Sequence, residues 1–509
     1  MATLVLNMGL KSIRSIIFDE KGNKLSFASL PIETKLKGNS VTQSPLEWWN
    51  KAIQVIKLSL EDEVRERVQF ITVTSSSSCL IPVTESGDSL CDAIMVSDKR
   101  ATVESDFIEE QIEFREVFKN TGLPSDPYLM LPKILWLKNN ESKVYNSASY
   151  FLSPNDFFVY KLTGFCCTDE LNAQKYHYDI ESKSYPSPLL KKLEIPIEKL
   201  PKVYTPGVIV GQLINKMSEE FGFKQDVKIV LSTYDAICAF IGSGPKGTRE
   251  ACDVSGTVTS LRIFSDNKVH DNKGRILNTP FTNSKMHIVG GSNNLGGGLI
   301  EWVKQCYYIN EKYPYEIMEM EAKQSTEGAK GLIFLPYLMG ERAPLWDTDA
   351  RGVYFGIERF HTRKDMTRAV FESAGYTIRS MIDVMNEHNI TVESIRVSGG
   401  LSRIQLISQI KADITGKNVV VVDEFETTAL GAAIIAWIGI GVYSSVFDAS
   451  EECIKERMII LPNKQNHELY NEMYGLFKES YSSLKKLFKR RTQIVKSIYN
   501  EKHETVENL

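Results

Sequence analysis

The residues best suited to chemistry fall into three short segments that mix hydroxyl, glycine and carboxylate types. Ser232-Thr233-Tyr234-Asp235 follows an apolar strand-like run, Val227 to Leu231, and precedes an apolar helix-like run, Ala236 to Ile241. An aspartate here is either a helix cap or a carboxylate at the carboxyl end of a strand, where α/β folds place their ligands. Spacing alone favours the cap. Ser255-Gly256-Thr257-Val258-Thr259 has the composition of a hairpin tip. Its N–H and O–H donors suit phosphate oxygens, and a tight β-turn explains it equally well. Ser398-Gly399-Gly400 joins the strand-like Ile395-Arg396-Val397 to a helix from Ser402, and Gly431-Ala432-Ala433 lies in a further helix opening near Thr427. Glycines at a strand-to-helix turn let a ligand approach backbone N–H groups, although a plain βαβ turn needs them too.

The elements that position these segments alternate between strand and helix, which predicts an α/β architecture. Leu4 to Asn7 and Ser15 to Phe18 form a hairpin through Gly9, and Ala251 to Val254 with Ser260 to Phe264 repeat the design. Two hairpins of one design predict two lobes on one plan. Pro245 and Gly247 mark the expected boundary, giving lobes over 1–245 and 246–485 and a polar, frayed tail over 486–509. Trp48, Trp49, Ile53 and Ile56 predict a helix over 45–60, and Ala374, Ile378, Met381, Ile382 and Met385 predict another apolar helical stripe.

A chain of 509 residues exceeds one ordinary core. Its 42% hydrophobic and 24% charged residues are typical of globular proteins, and a net charge of −4 offers no attraction to nucleic acid or an acidic membrane. Met1 to Leu6 lacks the basic stretch of a signal peptide, and Ala429 to Val442 is too short and glycine-broken to span a bilayer. The eight cysteines are scattered without metal-ligand spacing, so the expectation is reduced thiols and a cytoplasmic location.

The order of these segments resembles the FGGY carbohydrate kinases. The resemblance rests on 397–403, 409–416, 428–433 and 439–443, on 334–347 with 350–356, on Gly296 to Trp302, and on Lys133 to Trp136, Leu162-Thr163-Gly164 and Thr168-Asp169. It implies a two-lobed, actin-like (ribonuclease H-like) α/β ATPase fold with an active-site cleft between the lobes. It also implies ATP and Mg²⁺ as cofactors and a sugar or polyol as substrate, with a homodimer among the family's assembly states. Asp235 then resembles the catalytic base and a metal contact. Gly9 and Ser12 resemble the first phosphate hairpin, Ser255, Gly256 and Thr257 the second, and Gly399, Gly400 and Gly431 the adenosine site. Ser78, Asp98 and Arg100 fall on the sugar side. The Glu341 to Asp347 segment looks closer to gluconate-type and ketose kinases than to glycerol kinases.

Several positions depart from the family pattern. Asn7 stands where a carboxylate helps hold hydrated Mg²⁺, and an amide is a poorer ligand for that hard cation. Leu10 replaces a hydroxyl, Lys11 adds a charge, Val96 replaces a tryptophan, and Ser75 to Cys79 is a serine run. These departures raise a second reading, a weakened pseudokinase that binds nucleotide or sugar as a sensor or partner protein.

Overall fold

The computed structural model describes residues 1–507, apart from 257, 283–284 and 424–425. The chain forms two compact units: Met1–Lys246 with Thr279–His287 and Glu426–Ile454, and Gly247–Asn278 with Ile288–Phe425 and Lys455–Leu509. Glu426–Ile454 thus groups with the first unit, although it lies within the range 246–485 expected for the second lobe.

The first unit is built on strands β1 (Ala2–Met8), β2 (Ser12–Asp19), β3 (Lys24–Pro31), β4 (Val68–Ser75), β5 (Ile209–Gln212) and β6 (Lys228–Val230). They lie side by side in the order β5-β6-β4-β1-β2-β3. β1 runs antiparallel to β2 and parallel to β4, which is parallel to β6. Every residue of β1 is buried, as expected of a central strand covered on both faces. Helix α1 (Pro45–Ser59) starts where Pro45 follows Ser44, whose hydroxyl accepts from the Glu47 N–H at 3.3 Å. Also in this unit are α2 (Met130–Asn140), α3 (Pro154–Thr163) and α4 (Asp235–Gly242).

A second sheet, most of whose residues fall in the second unit, comprises β7 (Glu250–Ser255), β8 (Thr259–Ser265), β9 (Leu277–Phe281), β10 (Met286–Ser292), β11 (Ser394–Gly399), β12 (Asn418–Val422) and β13 (Glu456–Ile460). Their order is β9-β10-β8-β7-β11-β12-β13. β7 is antiparallel to β8 and parallel to β11, which is parallel to β12, with β13 antiparallel at the edge. Apart from β9, this repeats the first sheet strand for strand. Helix α5 (Arg363–Glu387) buries Ile378, Met381, Ile382 and Met385, the predicted stripe, and α6 (Gln405–Thr415) follows β11.

Helix α7 (Thr427–Gly439) is buried nearly throughout and packs on α4. The final helix, α8 (Lys464–Glu507), corrects the expectation of a frayed tail over 486–509. No glycine or proline follows Gly475, and the lysine, arginine and glutamate that fill the segment are good helix formers.

Candidate active site

In the first unit the site is assembled at the carboxyl ends of three neighbouring strands. β6 ends at Val230, and α4 opens at Asp235 after the loop 231–234. The capping position is Tyr234, without a side-chain cap bond, so Asp235 is the first helical residue rather than the cap that spacing favoured. A carboxylate in a helix's first turn is stabilised by the positive end of the helix dipole. Asp235 is half-buried, and its Oδ2 accepts from the Ser76 hydroxyl at 3.0 Å. Ser76 follows β4, the parallel neighbour of β6, and Thr74 Oγ1 donates to the Thr233 carbonyl at 2.9 Å. That bond ties the two strand ends together beneath the carboxylate.

Asn7, 5% exposed on β1, lies opposite Arg14 of β2 and level with Thr74 of β4. The hairpin tip is closed by the Gly9 N–H donating to the Ser12 carbonyl at 3.0 Å. Arg14 Nε donates to the Ser12 hydroxyl at 3.1 Å, and its Nη1 pairs with Glu426 Oε2 at 3.0 Å. The residue opposite Asn7 therefore holds the Ser12 hydroxyl with an anchored guanidinium.

On the expected sugar side, Asp98, Arg100 and Ser78 are each tied to neighbouring residues. Asp98 is fully buried and already accepts four hydrogen bonds, from the Val41 N–H and from the Arg100 N–H, Nε and Nη2. Those bonds use the acceptor sites of the carboxylate to hold Arg100 in place. Arg100 in turn lies 4.9 Å from the centre of the Trp136 ring. Ser78 is buried with a left-handed backbone, φ 61°, and its carbonyl accepts from Lys133 Nζ. The fully buried Lys133 also donates to the carbonyls of Met95, at 2.9 Å, and Tyr128, at 3.1 Å. Burial pushes its pKa down to about 8. In the serine run the Ser76 hydroxyl donates to Asp235. The pairing of β4 with β6 selects it, and nothing in its local sequence marks it.

In the second unit, Ser255 of β7 is in parallel register with Gly399 of β11, which brings the two glycine-bearing turns side by side. Gly399 has φ 83°, and a Cβ there would lie 2.6 Å from the Ser255 carbonyl oxygen. Gly256 and Gly400 are exposed, while Thr257 lies outside the described residues. Beneath the hairpin, Ser255 Oγ donates to Asp253 Oδ1 at 2.7 Å. The other carboxylate oxygen, Oδ2, pairs with the buried Lys411. Gly431 is corrected as a nucleotide contact: it is buried in α7, and a Cβ there would sit 1.8 Å from the Cys238 carbonyl oxygen of α4. Close helix packing is what requires this glycine.

Residues 2–242 match the N-terminal domain, and residues 254–440 the C-terminal domain, of the FGGY family of carbohydrate kinases. The chain belongs to that family. It is a sugar or polyol kinase of the FGGY type, with the two-domain actin-like ATPase fold. It is 26% identical to the xylulose kinase of Staphylococcus xylosus over 483 residues, covering 94% of this chain and 99% of that one. It is 25% identical to the gluconokinase of Bacillus subtilis (strain 168), covering 93% and 94%. The crystal structure of gluconate kinase from Lactobacillus acidophilus superposes with a TM-score of 0.87 at 22% identity, over 96% of this chain and 99% of that one.

FGGY kinases use ATP, usually with Mg²⁺. Among the described residues of this FGGY chain, no cluster of three or more His, Cys, Asp or Glu could hold a metal. Asp235 and Asn7 are the positions where the family resemblance leads one to expect a metal contact. No helix is long and apolar enough to cross a membrane among the described residues.

Proposed function

We propose that this chain transfers the γ-phosphoryl group of ATP to a hydroxyl of a sugar, sugar acid or polyol, with Asp235 as the base. The observation that carries this reading is the Asp235 carboxylate, set at a strand-end helix start and oriented by the Ser76 hydroxyl. The acceptor hydroxyl gives its proton to Asp235 as its oxygen bonds to the γ-phosphorus. The bond from that phosphorus to the β–γ bridging oxygen breaks, and ADP leaves.

The exposed turns at Gly256 and Gly400 supply backbone N–H groups for nucleotide phosphates and adenosine. At the first hairpin, closed by the Gly9 N–H, the Ser12 hydroxyl offers a donor. Arg100, held by Asp98, faces the acceptor side, and Mg²⁺ bound with ATP supplies charge neutralisation. No observation favours the pseudokinase alternative.

The test is ADP release with ATP and Mg²⁺ against ketoses, sugar acids and polyols. Acceptor-dependent release is expected, and Asp235→Asn should lower kcat by about 10²–10⁴-fold while leaving the thermal transition nearly unchanged. Full turnover in that variant would place the base elsewhere.

A further inference from the structure

Over the ring of Tyr234, the residue that precedes the proposed base, the structure holds a cation with no carboxylate partner among the described residues. From Glu170 through Tyr178 every residue except Lys175 is buried. The segment is pinned along its length. Asp169 Oδ1 accepts from the N–H groups of Leu171, at 3.0 Å, and Asn172, at 3.1 Å, and the Tyr176 hydroxyl donates to the Phe151 carbonyl at 3.0 Å. The turn Gln174–Tyr176 therefore presents one side chain, that of Lys175, from a rigid base.

Lys175 Nζ lies 4.7 Å from the centre of the Tyr234 ring. Tyr234 is itself buried and is joined directly to Asp235. Among the described residues the Lys175 ammonium has no carboxylate partner, only this ring. An aromatic face holds a half-buried ammonium in place without cancelling its charge, and it contributes less than a hydrogen-bonded counter-ion would. A lysine held on the ring of Tyr234, one residue before the proposed base, is suited to an acceptor that brings its own negative charge.

Building on the kinase reading, we propose that Lys175 is a specificity-determining residue that selects acceptors bearing a carboxylate, that is, sugar acids over their neutral counterparts. The carboxylate would accept from the ammonium, while the hydroxyls of the same molecule meet Asp235. No bond is made or broken at Lys175, so its contribution belongs to binding.

The experiment compares gluconate with glucitol, which differ by a carboxylate in place of a hydroxymethyl group. The wild type, Lys175→Met and Lys175→Arg are each assayed for ADP release, after thermal melting has shown that they fold. The wild type is expected to favour the acid. In Lys175→Met the acid-to-alditol ratio of kcat/KM should fall about tenfold or more, through KM for the acid, and Lys175→Arg should restore much of it. Lys175→Gln replaces the methionine variant if that one does not fold. A wild type that prefers glucitol, or a ratio unmoved by the loss of the ammonium, overturns the proposal while leaving the kinase reading intact. An equal fall in kcat for both acceptors also overturns it, and would put Lys175 on the transferred phosphoryl group. Absence of turnover with every acceptor in the wider panel overturns the kinase reading and this proposal with it.

Discussion

Asn7 is the residue at which this chain departs most from its family's chemistry. It is buried, opposite Arg14 of β2 and level with Thr74 of β4. An amide oxygen carries no full charge and contributes less to a hydrated Mg²⁺ than a carboxylate does. Asn7→Asp is therefore expected to lower the Mg²⁺ concentration for half-maximal ADP release by several-fold, with Arg14 as a neighbour able to stabilise the new charge. An Mg²⁺ titration superimposable on the wild type would show that the ion is held without this position. Ser76 illustrates the opposite case. One hydroxyl among a run of similar ones meets the Asp235 carboxylate because a neighbouring strand ends beside it.

At the scale of elements, buried carboxylates at helix starts set a pH dependence that has nothing to do with turnover. Asp156 closes a capping box at the start of α3: its Oδ2 accepts from the Ser153 N–H at 2.8 Å, and its own N–H donates to Ser153 Oγ at 3.3 Å. Burial is the main cause that pushes its pKa up to about 7, against the pull of the hydrogen bonds from Thr168 and Ser153. A raised carboxyl pKa means that the folded chain keeps a proton which the unfolded chain releases. The resulting stabilisation is present below the unfolded pKa and is lost as pH rises through about 7. Asp156→Asn can still accept the capping bond but cannot ionise. Its thermal midpoint should therefore gain on that of the wild type as pH is raised from about 5 to about 8. Melting curves across that range check this, and a pH-independent difference would refute it.

At the scale of the molecule, the first unit is discontinuous in sequence. α7 lies far along the chain from α4, yet their backbones meet so closely that a Cβ on Gly242 would lie 1.8 Å from the Thr427 carbonyl oxygen. α7 also donates from Trp437 Nε1 to Thr3 Oγ1 of β1 at 2.9 Å. A chain ending at Lys246 would leave α4 and the β1 side of the sheet uncovered, and it is expected to populate an unfolded or aggregated state. Far-ultraviolet circular dichroism and urea titration check this; a cooperative transition like that of the full chain would show that the segment 426–454 is dispensable.

Local sequence by itself determined the α/β class, the α1 and α5 helices, the two matching hairpins and the short motifs that carry the family. Those features depend on periodicity, capping and turn residues, which act over a few positions. The serine run and the glycine of α7 could not be assigned from their surroundings. The uses of Ser76, Asp98 and Gly431 depend on which strand end, arginine or helix backbone lies against them in space. Tertiary structure alone decided those contacts, because pairing of strands and helices distant in the chain is settled by global packing and not by local preference.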